Sequence, residues 1–297
     1  MRKALITAGG LALTLIMGGC GVGDGKYQDT ASLVRAASAS TAKEKSVAFT
    51  VSMRLGPIAM TGEGANSYAD GEDPRSWVTM TFDMSSVGMG LGTMEFEGRQ
   101  LGDDFYLRMP TDLPGLPSDP DRPWYKTSLP ELLSSTGIKV DQYLKSSDPG
   151  TMLDMLKESG ELVDTETGVS IGGRTTTKYS FEVDFDEVMK NFGTSMQDLP
   201  ALAEVDLDAV PVDVYLDERD LPVRLNVDMR EVVDAIMDSA GGQQNLPPGM
   251  SFDEAYARTD FTEWGVEVDV EPPPADQISD QPLPGAGGGW ADPPTGP

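Results

Sequence analysis

Histidine is absent from this chain of 297 residues, and cysteine occurs once, at Cys20. A Ser-His-Asp or Cys-His site cannot be assembled without histidine, and the usual zinc sites lose their ligands. Carboxylate, serine-lysine and oxygen-ligand metal chemistry remain open. The composition therefore favours a protein that is not an enzyme, and no cofactor or metal site is predicted.

Positive charge is also scarce. The chain has 22 Lys and Arg against 49 Asp and Glu, which gives a formal net charge of −27. So acidic a surface repels phosphate backbones and anionic lipid head groups. We therefore expect no nucleic-acid partner and no electrostatic docking on a membrane.

Catalytic and ligand-binding motifs are few and incomplete. The segment "STAK" places Ser40 and Lys43 at S-x-x-K spacing, but the other elements of a serine β-lactamase site are missing. The glycines of "GMGLG" lack the spacing of a dinucleotide-binding loop. With 49 carboxylates in the chain, no particular pair indicates acid-base catalysis. A carboxylate-only enzyme remains the weakest of the functional alternatives.

The lone cysteine follows a recognisable leader. Met1-Arg2-Lys3 is basic, "ALITAGGLALTLIM" is apolar but too short for a stable membrane span, and Gly18-Gly19 precede Cys20. This order is typical of a bacterial lipobox, in which the cysteine thiol is acylated. The alternative is an ordinary secreted protein with a free thiol, which is unusual in an oxidising compartment. The sequence predicts a signal peptide over 1–19 and lipid attachment at Cys20, on the extracytoplasmic face of the cell membrane.

Three further regions follow the predicted leader. Residues 20–26 form a short tether, and residues 27–270 carry the periodic sequence of one core-bearing domain. From Glu271 onward proline and glycine dominate, so residues 271–297 are predicted to be a disordered tail.

The domain is dominated by alternating apolar and polar residues. Strands of this kind are "SVAFTVSMRL", "WVTMTFDMS", "TMEFEG", "DDFYLRMP", "KYSFEVDF", "VPVDVYL", "LPVRLNVDM" and "EWGVEVDV". Helical periodicity is confined to short pieces, one beginning near Asp29 or Thr30, one in "DPGTMLDMLKES", one in "DFDEVMKNFG" and one in "MREVVDAIMDSAGG". The pattern predicts an α+β fold with an antiparallel sheet that is covered on one face only.

Methionine is abundant, with 16 residues, and many lie in or beside the early strands. Met adapts to irregular apolar partners, although plain core filling explains it equally well. A long sheet with few helices to cover it would leave an apolar hollow, where ligands commonly bind. The predicted ligand-cavity residues are Phe49, Val51, Met53, Met80, Phe82, Met94, Phe96, Leu107, Phe181 and Leu225.

The order of these segments is similar to one known family. The lipobox, "AKEKSVAFTVSMRL", "DDFYLRMP", "PWYKTSL", "IGGRTTTKYSFEVD" and "VYLDERDLPVRLNVDM" together resemble the LppX/LprG family of actinobacterial lipoproteins. The likeness covers about Thr30 to Met229 and contains no catalytic motif. The proline-rich tail and the acidic loop near Pro110 to Pro123 depart from it.

The resemblance implies a LolA-like, strongly curved antiparallel half-barrel with a few short helices across its concave face. It also implies a cavity for the acyl chains of a lipid or lipoglycan, which such proteins carry or present in the cell envelope. Two hypotheses follow. The chain is either a membrane-anchored lipid-binding protein, or a structural or regulatory lipoprotein with a filled core that binds an envelope protein.

Overall fold

The computed structural model describes residues 25–68, 73–85, 92–110, 119–128, 130–131, 153, 156–185, 207, 209–239 and 252–283. The elements in chain order are α1 (Thr30–Glu44), β1 (Ser46–Leu55), β2 (Ile58–Ser67), β3 (Arg75–Asp83), β4 (Thr93–Leu101), β5 (Asp104–Arg108), β6 (Trp124–Ser128), β7 (Gly160–Ile171), β8 (Arg174–Asp184), β9 (Ala209–Leu216), β10 (Pro222–Asp228), α2 (Arg230–Ser239), β11 (Ala255–Trp264) and a 3-10 turn (Ala275–Gln277).

All eleven strands belong to one antiparallel sheet. Its order is β6-β5-β4-β3-β2-β1-β11-β10-β9-β8-β7, so the first strand pairs with the last and each half of the sheet is a meander. The edge strands β6 and β7 are not paired with each other among the described residues. A twisted sheet of this size curls instead of staying flat. The predicted α+β class with an open antiparallel half-barrel is confirmed.

Tight turns connect neighbouring strands at glycine and aspartate residues. Gly102 has a φ of 59° between β4 and β5, and Gly172 and Gly173 have φ values of 57° and 82° between β7 and β8. The β9–β10 turn contains Asp220 with a φ of 63°, and the carboxylate of Asp217 accepts hydrogen bonds from the amides of Arg219 and Leu221. Glycine and aspartate occupy these positions because they tolerate the left-handed backbone.

The helix α1 covers part of one sheet face. It begins at the Asp29 cap, whose side chain accepts from the Ser32 amide, and it ends at Lys45 in the left-handed conformation. The predicted helix is confirmed, and of the two predicted start residues, Asp29 and Thr30, it is Asp29 that caps it. Its buried side packs into a cluster of residues from α1, β8, β9 and the segment before β7: Leu33, Val34, Ala37, Leu153, Leu156, Tyr179, Phe181, Val183, Val212, Val214 and Leu216. We call the sheet face that carries Tyr179 and Val214 the inner face.

The opposite, outer face has a cover of its own, which the sequence does not predict. The strand β11 ends at Trp264, and Gly265 with a φ of 72° turns the chain away from the sheet. Val268 and Val270 then pack on Ala65 of β2, with Trp77 beside them. The prediction that residues 263–270 continue as one strand is therefore wrong beyond Trp264, because the alternating valines belong to this cover.

The predicted tail boundary at Glu271 also needs correction. The segment after Glu271 runs from the outer face, where Arg99 donates to the Glu271 carbonyl, to the free edge of β6, where the amide of Ser279 donates to the Trp124 carbonyl at 2.7 Å. Ile278 forms a parallel bridge with Trp124, and Arg122 pairs with Asp280. Residues 284–297 lie outside the described residues. Within the part of the chain that the structure describes, no helix has the length and apolar character needed to cross a membrane.

Candidate functional site

All ten predicted cavity residues share the inner face of the sheet. In an antiparallel pair, directly opposed residues point to the same side. One row joins Val51 of β1 to Gly62, Met80 and Phe96, and in the other direction to Thr259, Leu225, Val214 and Tyr179. The next row joins Met53 to Met60, Phe82 and Met94, and in the other direction to Ala257, Val227, Val212 and Phe181. A third row contains Phe49, Gly64, Val78, Gly98, Leu107 and Tyr125.

The ten residues divide into two groups by burial. Phe181 is 1% exposed and belongs to the cluster beneath α1, and Leu225 packs against the same cluster. The other eight, from β1 to β5, are all half-buried. We call their surface the apolar strip: Phe49, Val51, Met53, Met80, Phe82, Met94, Phe96 and Leu107. Phe181 and Leu225 therefore belong to a packed core, whereas the strip retains accessible apolar surface.

The apolar strip is free of charge. Its three rows across β1 to β6 contain only Phe, Met, Val, Leu, Gly and Tyr, while the charged side chains of Glu63, Glu97 and Arg108 lie on the outer face. Strand spacing and rise give the strip about 20 Å by 15 Å, on the order of 300 Å². The largest apolar patch on a typical soluble monomer is of this order and is often functional.

Three glycines, Gly62, Gly64 and Gly98, lie in the same rows as the residues of the strip. The ring of Phe49 covers Gly64, and a β-carbon on Gly62 would stand 3.0 Å from Val51 Cγ2. Glycine inside a strand allows close approach and sharp bending of a sheet. Sequence reasoning missed this role, although "GEG" in the middle of β2 is the signal that could have found it.

Aromatic contacts order part of the strip. Phe82 and Phe96 on adjacent strands meet edge to face, with ring centroids 5.4 Å apart and an interplanar angle of 82°. This arrangement is favourable for aromatic pairs. The two rings therefore hold each other in position, while Met80, Met53 and Met94 provide adaptable surface between and beside them.

The row next to the strip is polar. Val47, Asn66, Ser76, Gln100, Phe105 and Thr127 are paired across β1 to β6 on the same face. Gln100 is 4% exposed; its amide donates to the Gly102 carbonyl at 3.2 Å and its oxygen accepts from Ser76 at 3.5 Å. The strip is thus bounded on one side by neutral hydrogen-bonding groups, at the end of the sheet that holds the β2–β3 and β4–β5 connections.

Charged groups lie on the outer face and at the rims. Arg224 and Asp260 form a two-bond pair across β10 and β11, at 2.5 and 3.0 Å, and Lys178 lies 3.4 Å from Asp213. Such cross-strand pairs mark a solvated surface and contribute little each. Among the residues described by the structure, no group of three or more carboxylates is placed to hold a metal ion. Cys20 lies outside the described residues, and its lipid attachment stays a prediction.

No protein-family model matches the chain, and the comparison with curated proteins found no match. Five chains of solved structures match, among them the crystal structure of LprF from Mycobacterium bovis, with 10% identity, coverage of 82% of this chain and 96% of that chain, and a TM-score of 0.47. At this identity and TM-score the match carries no inference about a ligand or a site, and the architecture rests on the strand order and register given above.

Proposed function

We propose that the chain is a lipid-anchored protein of the bacterial cell envelope that binds an acyl lipid or lipoglycan on the apolar strip, for carriage or presentation, without catalysis. Cys20 attaches it to the extracytoplasmic face of the cell membrane. The observation that supports this function is the uncharged, half-buried inner face of β1 to β5, beside a core half that α1 has already filled.

The energetics suit an acyl ligand. Burying each methylene group contributes about 0.8 kcal/mol, so ten of them gain roughly 8 kcal/mol before the costs of association. Methionine and valine side chains can follow a flexible chain, and the neighbouring polar row can meet a neutral head group. The half beneath α1 lacks this capacity because its side chains already contact one another.

Met80→Trp tests this proposal. Met80 lies at the centre of the strip, opposite Gly62 and Phe96. The matched control is Thr79→Trp, which places the same ring on the outer face of the same strand. Both variants and the wild type are purified from a bacterial host, examined for bound lipid by native mass spectrometry, and titrated with the fluorescent C18 fatty acid cis-parinaric acid.

We expect Met80→Trp to lose lipid and parinaric acid binding while it stays folded, and Thr79→Trp to retain both. If no preparation contains lipid and none binds parinaric acid, the proposal is wrong. If Met80→Trp only lowers the free energy of unfolding, by about 1 to 3 kcal/mol, the strip is an ordinary core. That outcome favours the alternative, a structural or regulatory lipoprotein that binds an envelope protein.

A further inference from the structure

Four methionines on neighbouring strands form one group on the inner face of the sheet. Met53 of β1 is directly opposite Met60 of β2. Met80 of β3 is diagonal to Met60, and Met94 of β4 is diagonal to Met80. Diagonal neighbours on adjacent strands remain within reach of long side chains. Three of the four belong to the apolar strip, and Met60 lies in the same row as Met53 and Met94. We call these four residues the methionine cluster.

Methionine is absent from the buried core that the structure describes. The core beneath α1 is built from Leu, Val, Ala, Phe and Tyr. No methionine is buried among the described residues, whereas every member of the methionine cluster is half-buried. Valine and the aromatic residues suit a strand better than methionine does. Core filling, which the sequence leaves open as an explanation, therefore does not account for these four side chains.

The chemical property that separates methionine from the other apolar residues is its oxidisable thioether. With hydrogen peroxide, the O–O bond breaks, one oxygen bonds to the sulfur, the sulfur loses two electrons, and the other oxygen leaves as water. The product, methionine sulfoxide, is polar. Methionine sulfoxide reductases reverse the step: two thiols become a disulfide, and the oxygen leaves as water. The oxidant must reach the sulfur, so half-buried thioethers react and buried ones are shielded.

A sulfoxide on this surface has no hydrogen-bond donor beside it in the sheet. From β1 to β4, the two rows that contain the methionine cluster hold only Val, Gly, Met and Phe. A β-carbon on Gly62 would stand 3.3 Å from Met80 Cγ, so the Met80 side chain extends over the neighbouring strand within the strip. An acyl chain seated there would cover the sulfoxide oxygens and exclude water from them. Burying a polar group without a hydrogen bond weakens binding by about tenfold or more.

We propose that the methionine cluster is a site of reversible oxidation, at which a peroxide converts the apolar strip from a lipid-binding to a lipid-releasing surface. This inference rests on the proposed function, because the strip must bind an acyl ligand before oxidation can release it. The relationship works in both directions. An acyl chain that covers the methionine cluster also shields its sulfur atoms from the oxidant.

Peroxide treatment of matched variants tests this site. The oxidation-resistant variant carries leucine throughout the cluster: Met53→Leu, Met60→Leu, Met80→Leu and Met94→Leu. Leucine conserves the volume and apolar character of methionine but forms no sulfoxide. The control is Met229→Leu, because Met229 is also half-buried but packs against a different cluster, around Phe185. The full-length proteins are treated with hydrogen peroxide, which is then removed with catalase. Sulfoxides are located by peptide mass spectrometry, and binding is titrated with cis-parinaric acid.

We expect peroxide to oxidise the methionine cluster of the wild type and of Met229→Leu, and to weaken their parinaric acid binding at least about tenfold. The oxidation-resistant variant should bind within about twofold of its untreated form. Methionine sulfoxide reductases should restore binding to the wild type. If the resistant variant loses binding as the wild type does, the cluster is not the site. Circular dichroism separates release from unfolding, because an oxidised wild type that has lost its sheet signal contradicts a switch at the strip.

Oleic acid tests whether the ligand covers the cluster. At about ten times its dissociation constant, it should slow oxidation of the cluster by about tenfold and leave oxidation of Met229 in the same molecules unchanged. Equal rates with and without oleic acid contradict the proposal. If the untreated wild type binds neither fatty acid, the proposed function is wrong and this inference falls with it. If the untreated protein binds and peroxide changes nothing, only the oxidation switch is wrong.

Discussion

The ring of Phe49 lies directly over Gly64 on the neighbouring strand. A β-carbon built on Gly64 would stand 2.8 Å from Phe49 Cζ and 2.5 Å from the backbone oxygen of Trp77. The absence of a side chain at this position therefore leaves room for the Phe49 ring and the Trp77 carbonyl beside β2.

The first prediction concerns that contact. Gly64→Ala should lower the free energy of unfolding by about 1 to 3 kcal/mol, because a rigid backbone oxygen and an aromatic ring must both move. Gly92→Ala is the control, since nothing lies within 4 Å of its added carbon. That change should stay within about 0.5 kcal/mol in urea denaturation. Equal effects at the two glycines would show that the approach of Phe49 is not constrained.

The second prediction is a pH dependence at the start of α1. The pKa of Asp29 is lowered, first because the Ser32 hydroxyl donates to its carboxylate and then because the Ser32 amide does. A lowered folded-state pKa means that this stabilisation is present above pH about 4 and is lost as the pH falls below it.

Asp29→Asn separates this effect from the other carboxylates. Asparagine caps helices as well as aspartate does but does not titrate. The two proteins should unfold at similar urea concentrations at pH 7, and the wild type should lose more stability than the variant between pH 4 and pH 2. Parallel pH profiles would show that Asp29 contributes no charge-dependent stabilisation.

The third prediction distinguishes two parts of the C-terminal segment. Deletion of residues 272–297 removes the Ile278 bridge and the Ser279 hydrogen bond, both of which are made to the backbone of Trp124 in the edge strand β6. The loss should be about 1 to 3 kcal/mol. Deletion of 284–297 alone should shift the melting temperature by about 1 to 2 °C or less. If the longer deletion is equally harmless, the packed segment does not stabilise the sheet.

The fourth prediction concerns the lipid anchor. Thioether diacylation at Cys20 provides two chains, enough for stable attachment where one chain is marginal. Cys20→Ser should leave the protein in the soluble fraction or with its leader uncleaved, as measured by membrane fractionation and intact-protein mass. If the wild type and the variant partition identically and no acyl mass is found on Cys20, the lipoprotein assignment is wrong.

Strict alternation made much of the sheet predictable. The residues of β1 were predicted from Ser46 to Leu55, as the structure has them, because Val47, Phe49, Val51 and Met53 alternate with polar residues. The strands β2, β6 and β7 were missed for physical reasons. Glycine interrupts β2, β6 begins with two adjacent aromatic residues and therefore does not alternate, and β7 has few apolar side chains to reveal its period.

The sequence predicts which residues of the candidate site share one face of the sheet, but not which of them remain accessible. Alternation alone placed Met80, Phe96 and Phe181 on one side of the sheet, and the register agrees. The sequence does not show that α1 packs on the part of the sheet around Phe181 and leaves the side chains around Met80 half-buried. That division depends on where a helix distant in sequence docks, which side-chain periodicity does not encode.

The pairing of β1 with β11 has a consequence for how the chain folds. It joins residues about 200 positions apart, whereas every other strand pair links strands that are consecutive in the chain. The β1–β6 meander can assemble from local hairpins as soon as its residues are available, but its inner strand keeps an unsatisfied edge until the C-terminal strand arrives. Open edges of this kind are where newly made chains associate wrongly. Protection of β1 before β11 is complete therefore governs how much of the protein reaches its native state.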